Sequence, residues 1–251
     1  MKNLFFFLFI LTLISCRNTG ERYTNLQPLS IGILSTDDYN LPPTLAKDSI
    51  GLVVNIVRFP NAAERDSALV SGIIDGIVLD FISAAILQQK GMLIEMVMKN
   101  DTNYQMIVGI GNGIRAINQL KGRNIAIEKN TITEYITDKV LESVNISPDT
   151  GVNKADIKRT SLQLNLLQNG LIDATILPGR YAEIAIENGN YSLLSIEQSD
   201  YPIIGTAFSK KSIATKKKEI EVFIEEHKTP KPSQKEITSI SDWLKKKKHK
   251  L

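Results

Sequence analysis

The chain holds 2 histidines, His227 and His249, and 1 cysteine, Cys16. Both histidines fall in the C-terminal tail, so the body has no imidazole for base catalysis and no free thiol. One cysteine excludes an internal disulfide and a thiolate-caged metal. No G-x-S-x-G elbow, H-E-x-x-H pair or P-loop occurs. Gly109-Ile-Gly111-Asn-Gly113 lacks the third glycine of a dinucleotide fingerprint and reads as a turn. The expectation is a binder, not an enzyme, with no cofactor and no metal. What chemistry remains belongs to polar groups placed where apolar runs end. Ser35, Thr36, Asp38, Tyr39 and Asn40 follow the first run; Asp80 closes a second; Asn130, Thr131 and Thr133 follow a third; Pro178 and Arg180 follow a fourth. Hydroxyls, amides and freed backbone N–H groups there can hydrogen-bond a small ligand, and a helix start favours an anion. Arg180 has the donor fork that suits a carboxylate, sulfonate or phosphate. The same residue types also cap helices. Asp80, Thr131 and Thr133 therefore read equally as caps, Tyr39 as a lid or a rim tyrosine, and Arg180 as a ligand contact or a solvated arginine.

The elements that carry these groups alternate. Strand patterns cover Leu29–Ser35, Leu52–Arg58, Ile73–Leu79, Leu93–Met98, Gln105–Ile110, Leu120–Glu128 (with a turn), Ala174–Leu177, Tyr191–Ile196 and Pro202–Phe208. Helical patterns cover Ala62–Val70, Phe81–Lys90, Thr131 or Thr133 to about Val144, Ser161–Gln168, Arg180–Glu187, Lys216–Glu226 and Glu236–Lys248. Strands alternating with helices imply parallel βαβ units and an α/β sheet.

One segment recurs. Leu69-Val-Ser-Gly72-Ile-Ile-Asp75-Gly-Ile-Val-Leu-Asp80 matches Leu167-Gln-Asn-Gly170-Leu-Ile-Asp173-Ala-Thr-Ile-Leu-Pro178. Each reads as a helix end, a left-handed glycine cap, an Ile-Asp pair, a small residue and a buried strand. Two similar α/β lobes follow. Ligands in such sheets sit beyond the carboxyl ends of strands, so the segments after Leu79 and Leu177 should face one cleft. Asp75 and Asp173 have a structural reason at their repeat positions.

The first residues read as an address. Leu4–Ile14 is apolar, too short to span a bilayer at about 16 Å of helix, and has the length of a signal-peptide core. It ends in Leu13-Ile14-Ser15-Cys16. That pattern resembles a bacterial lipobox, with residues 1–15 removed, Cys16 lipidated and 16–25 acting as a tether. An extracytoplasmic, membrane-anchored location follows, in the periplasm or at the cell surface. The net charge of +3 comes from the ends: Lys2 and the lysine-rich last seven residues account for six of the 30 basic groups. The slightly acidic body excludes a nucleic-acid partner, which would need a basic face.

Arg58-Phe-Pro-Asn-Ala-Ala-Glu-Arg65-Asp-Ser-Ala-Leu69, the Gly72–Asp80 element, Leu120–Ile127, Asn130-Thr-Ile-Thr-Glu-Tyr135 and Ile172–Pro178 together resemble the type 2 periplasmic binding proteins. The similarity is to the nitrate/sulfonate/taurine and thiamine-precursor group of ABC-transporter substrate-binding proteins, over about residues 29–223. The resemblance implies two α/β lobes joined by two crossover strands, closing on a small anionic or zwitterionic organic solute for an ABC permease and its ATPase. Lobe 1 would hold 26–105 plus 206–251 and lobe 2 106–205. Relatives of this fold also imply alternatives: an enzyme of thiamine-precursor or menaquinone metabolism, or a ligand-sensing lipoprotein outside transport. The C-terminus departs from the pattern. After Glu226 there is room for only one further helix, and Arg58 and Arg65 read as positional groups of lobe 1.

Overall fold

The computed structural model describes residues 25–35, 51–100, 102–197, 200–227 and 230–248. Two five-stranded sheets form. The first has the order β2-β1-β3-β10-β4 and the second β7-β6-β8-β5-β9. In the first half these are β1 (Leu29–Leu34), β2 (Val54–Phe59), α1 (Ala62–Ser71), β3 (Gly76–Asp80), α2 (Phe81–Gln89) and β4 (Ile94–Lys99). The second sheet takes β5 (Asn103–Val108), β6 (Asn124–Ile127), α3 (Ile132–Ser143), β7 (Asn153–Asp156), α4 (Thr160–Gln168), β8 (Ala174–Pro178), α5 (Gly179–Glu187) and β9 (Tyr191–Glu197). The chain then returns through β10 (Ile204–Ser209), α6 (Lys210–Thr215), α7 (Lys217–His227) and α8 (Gln234–Lys248).

The two sheets are built to one plan. β1 pairs in parallel with β2 and β3, and β6 in parallel with β7 and β8. These are the parallel βαβ units that the alternation implies; β10 and β5 run antiparallel to both neighbours, so each sheet is mixed. The reason lies in the two crossings. β4 and β9 end on the cleft side, so the strand after each crossing starts there and runs the opposite way. The crossings lie between Lys99 and Asn103 and between Glu197 and Ile204.

The repeat is visible in the backbone. Gly72 and Gly170 are left-handed at φ 77° and 68°. Ile73 N–H donates to Ala68 O and Leu171 N–H to Leu166 O, both at 2.9 Å, which closes each helix with the same motif. Asp75 then accepts from the Ser30 N–H at 2.8 Å, and Asp173 from the Asn124 N–H at 2.9 Å. Each aspartate thereby fixes the start of β3 or β8 against the strand beside it. Gly76 has a further reason: a Cβ there would lie 2.7 Å from Ala207 O.

The terminal helix α8 touches both halves. Lys99 Nζ donates to Glu236 Oε1 at 2.9 Å from the end of β4. On the other side Trp243 Nε1–H donates to Asp138 Oδ2 at 2.9 Å, and Lys247 Nζ to Glu134 Oε1 at 2.6 Å. Tyr135 stacks edge-on against Trp243 at 5.7 Å. Asp138 also pairs with Lys154 of β7. Ile240, Trp243 and Leu244 are buried, so the apolar side of α8 closes the back of the molecule.

Candidate functional site

A cavity of about 300 Å³ opens between the two sheets. Its walls come from the carboxyl ends of strands and the residues just beyond them: Leu34 at the end of β1, Ala62 and Arg65 after β2, Leu79 and Asp80 at the end of β3 with Ser83 after it, Glu128 and Thr131 after β6, Lys158 to Ser161 after β7, and Tyr181 after β8. Parallel strands deliver helix starts to one place, and so polar side chains and open N–H groups meet there.

Asp80 is the polar group of the first wall. Its Oδ1 accepts from the Ile82 and Ser83 N–H groups at 3.0 and 2.9 Å, and its Oδ2 from Ser83 Oγ at 2.5 Å. It therefore caps α2 and lines the cavity at once. Burial pushes its carboxyl above the usual range, against the pull of the Ser83 and Ile82 hydrogen bonds and the Arg65 charge. Arg65 is 4% exposed. Its Nε and Nη2 donate to Asp66 Oδ1 at 3.0 and 2.8 Å, and its Nη1 to Val78 O at 3.2 Å. The guanidinium is committed to the lobe, as its sequence position suggests. Gly32 gives it room, since a Cβ there would stand 3.1 Å from Arg65 Cγ.

The second wall is cationic. Thr131 precedes α3 with no side-chain cap; its hydroxyl donates to Glu128 O at 2.8 Å and meets Thr133 Oγ1 at 2.9 Å. Arg159 precedes α4 and likewise makes no side-chain cap. Lys158 and Arg159 are exposed to the cleft's solvent, and neither has an ion-pair partner among the described residues.

Of the residues selected from sequence, Asp80 and Thr131 line the cavity. Thr133 sits one layer behind, with its Oγ1 accepting from the Glu128 N–H at 3.4 Å. Asn130 takes φ 61° to turn the chain into α3, and its N–H donates to Glu134 Oε2 at 2.9 Å. Ser35 donates to Phe59 O at 3.0 Å beside the end of β1. Pro178 ends β8 in register with Tyr104 and starts α5. Arg180 points to solvent with a 65% exposed side chain, 3.8 Å from Glu183. None of these five lines the cavity. Thr36, Asp38, Tyr39, Asn40 and Cys16 lie outside the described residues.

Sequence reading passes over Lys158, Arg159, Thr160 and Ser161. A basic pair and two hydroxyls just before a helix were a usable signal. The strand that would have flagged them, Asn-Lys-Ala-Asp in β7, has no buried residue and no apolar pattern. Among the described residues no group of three or more His, Cys, Asp or Glu could hold a metal ion, and no helix is long and apolar enough to cross a membrane.

No family model matches the sequence, and no curated protein matches it. Solved structures do match. The periplasmic aliphatic sulphonate binding protein of Escherichia coli superposes with a TM-score of 0.61 at 16% identity, over 81% of this chain and 72% of that one. This chain has the two-lobed fold of the periplasmic binding proteins. The alkanesulfonate-binding protein of Xanthomonas axonopodis pv. citri, bound to MOPS, gives 0.61 at 16% identity, over 80% of this chain and 71% of that one. A Prochlorococcus marinus protein in complex with methylphosphonate gives 0.62 at 12% identity, over 90% of this chain and all of that one (100%). Helix α8 bonds to Lys99 at the end of β4 and to Glu134 and Asp138 of α3, and so ties the two lobes together.

Proposed function

We propose that the protein is an extracytoplasmic solute-binding protein, anchored through lipidated Cys16. It captures a small anionic or zwitterionic organic solute between its lobes and hands it to an ABC permease and its ATPase. The observation that carries the reading is the pair of cations Lys158 and Arg159, which have no ion-pair partner among the described residues, at the uncapped start of α4, facing Asp80 across the cavity. An anionic group would sit against the cations and the open N–H groups of α3 and α4. Asp80 would accept from an amine or hydroxyl at the solute's other end. Thr131 and Tyr181 would line its flank, and the 36–40 segment would meet it from the first lobe. The binding proteins of sulfonates and phosphonates among the structural neighbours support the solute class.

Mass spectrometry of solutes that co-purify with the protein identifies the ligand. A dose-dependent rise in melting temperature with the authentic compound then confirms it, since binding stabilises by RT ln(1 + [L]/Kd). A compound that co-purifies but gives no shift at saturation, or that is chemically converted, rejects the reading. For the anchor, Cys16→Ser should end incorporation of labelled fatty acid. Continued labelling rejects lipidation at that residue.

A further inference from the structure

The pole of the first sheet, at the far end from the cleft, carries an unusual combination. Val70, Ile73 and Leu93 stand there at 73%, 71% and 68% exposure. Lys210 and Lys211 are exposed beside them, and Lys217 is exposed at the start of α7. Two contacts fix the cluster: the Lys210 N–H donates to Leu93 O at 2.9 Å, and Lys211 Nζ lies 3.6 Å from where a Cβ on Gly72 would be. The chain also enters the fold at this pole. Lys216 Nζ donates to Pro28 O at 2.9 Å, and the Gln27 N–H to Glu219 Oε1 at 3.1 Å. Twelve residues, 17–28, separate Cys16 from that entry, a reach of at most about 40 Å.

We propose that this pole rests on an anionic phospholipid surface, with the lysines among the headgroups and the three aliphatic tips in the interfacial layer. The proposal rests on the anchored reading for what brings the pole to a membrane; the surface itself is independent of it. Three features point to lipid. Cations beside separate aliphatic tips match the interfacial layer, where charge and apolar insertion add. A protein-binding patch would be poor in lysine and rich in aromatics and arginine. The carboxylates at the pole do not cancel the charge: Asp75 is taken by Lys216 at 2.8 Å, and Glu221 meets Lys217 only in an exposed pair at 3.8 Å.

The second lobe supplies the internal control. Its equivalent pole exposes Ile110 and Leu171 at 63% and 65%, with Leu171 at the repeat position of Ile73. Its arginines are occupied instead: Arg115 lies 4.8 Å over the Tyr191 ring, and Arg123 is 3.6 Å from Asp173, while Lys121 is exposed just before β6. The apolar steps are shared, and the denser set of exposed lysines belongs to the first pole. Contact through the first pole also leaves the cavity open. The five residues of β3 separate the two by about 17 Å.

The test uses the full chain with Cys16→Ser and one new cysteine, Leu93→Cys or Leu171→Cys, each carrying an environment-sensitive fluorophore. Vesicles are either rich in phosphatidylglycerol or of phosphatidylcholine alone, and fatty-acid labelling of the chain with Cys16 intact scores anchoring separately. The label at 93 should shift to the blue and escape an aqueous quencher on anionic vesicles only; the label at 171 should do neither. Lys210→Glu with Lys211→Glu should weaken the effect, roughly fivefold or more per lysine. A label at 93 that stays aqueous on anionic vesicles, while the chain with Cys16 intact takes up fatty acid, overturns the docked pole and leaves the anchor standing. Equal shielding at 93 and 171 overturns it as non-specific adsorption. Shielding in native membranes but not in pure lipid assigns the pole to a protein partner and overturns it too. A label at 93 that stays aqueous, with no fatty acid on the chain that keeps Cys16, overturns both readings.

Discussion

Asp75 and Asp173 do the same work in the two lobes and are held differently. Each accepts a backbone N–H from the neighbouring parallel strand. Around Asp75 the lobe adds Lys216 Nζ at 2.8 Å and Ser212 Oγ at 3.2 Å, with Lys216 reaching on to Pro28 O. Around Asp173 the described residues add Arg123, 42% exposed and 3.6 Å away. In the first lobe the later segment α6–α7 returns to cover the pole, so the aspartate is enclosed. In the second lobe no such segment returns among the described residues, and the Asp173 side chain stays 21% exposed. The same sequence signature thus becomes a buried network in one lobe and a surface clasp in the other.

That comparison predicts unequal costs. Asp75→Ala leaves a half-buried lysine and a backbone N–H unpaired and should destabilise by about 3 kcal/mol. Asp173→Ala exposes its donors to water and should cost about 1 kcal/mol. Urea denaturation of both variants measures the difference directly. Equal losses would mean that the enclosing helices contribute nothing to the network.

The cavity walls differ in the same spirit. The first-lobe wall has its charges committed, with Arg65 bound to Asp66 and Asp80 capping α2. The second-lobe wall holds Lys158 and Arg159, which have no ion-pair partner among the described residues. Lys158→Ala and Arg159→Ala should each weaken binding of the identified solute by roughly ten- to a hundredfold, about 1.5–3 kcal/mol per lost charged hydrogen bond. Stability should stay within about 0.5 kcal/mol, as for other exposed positions. Arg180→Ala, on the solvent side of α5, should change neither. Isothermal titration of the three variants ranks them. If Arg180 proves the strongest, the anion sits outside the cavity.

Much of this was legible in the sequence, for definite reasons. Glycine caps, the Ile-Asp pairs and apolar strand runs depend on local physics, so the repeat and most elements could be read directly. The direction of β5 and β10 was not legible, because periodicity reports which face is buried and not which way a strand runs. β7 was hidden because an edge strand with no buried face leaves no apolar period, and Lys158 to Ser161 were hidden with it. The role of α8 was half legible. Trp243 lies on its apolar side, as its pattern indicates, but its partner Asp138 is 105 residues away, and no local signal connects them.

The two ends of α8 should fail in opposite pH directions. Burial pushes the Glu236 carboxyl up, but hydrogen bonds from Lys99 and Ser233 outweigh it and hold it below the ordinary range. Its contribution is present above the unfolded carboxylate pKa and is lost as pH falls through the lower folded value. Burial lowers the Lys247 pKa, but Glu134 and Asp138 outweigh it and raise it above the ordinary lysine value. That contribution is present below the unfolded pKa and is lost as pH rises through the folded one. Hydrogen exchange along α8 should therefore quicken first near Glu236 in acid and first near Lys247 in alkali. The same order at both extremes would show that the helix releases as one unit.

The smallest expected effect separates the two walls by charge. Asp80 is buried, and desolvation raises its carboxyl, so the fold prefers it protonated. Its contribution to stability is greatest below the unfolded aspartate pKa, about 3.9, and declines as pH rises through the higher folded value. Asp80→Asn keeps an oxygen that accepts from Ile82 and Ser83 and removes the charge. The variant should lose that decline, so its stability relative to the parent should improve from acid toward neutral pH. Binding then reports the solute's far end. A purely anionic solute should bind Asp80→Asn more tightly, because a carboxylate near its charge is gone. A zwitterion should bind it more weakly, because the acceptor for its ammonium group is neutral. Unchanged binding of the identified solute, with the stability difference present, would place the solute wholly on the second-lobe wall and leave Asp80 as the cap of α2 alone.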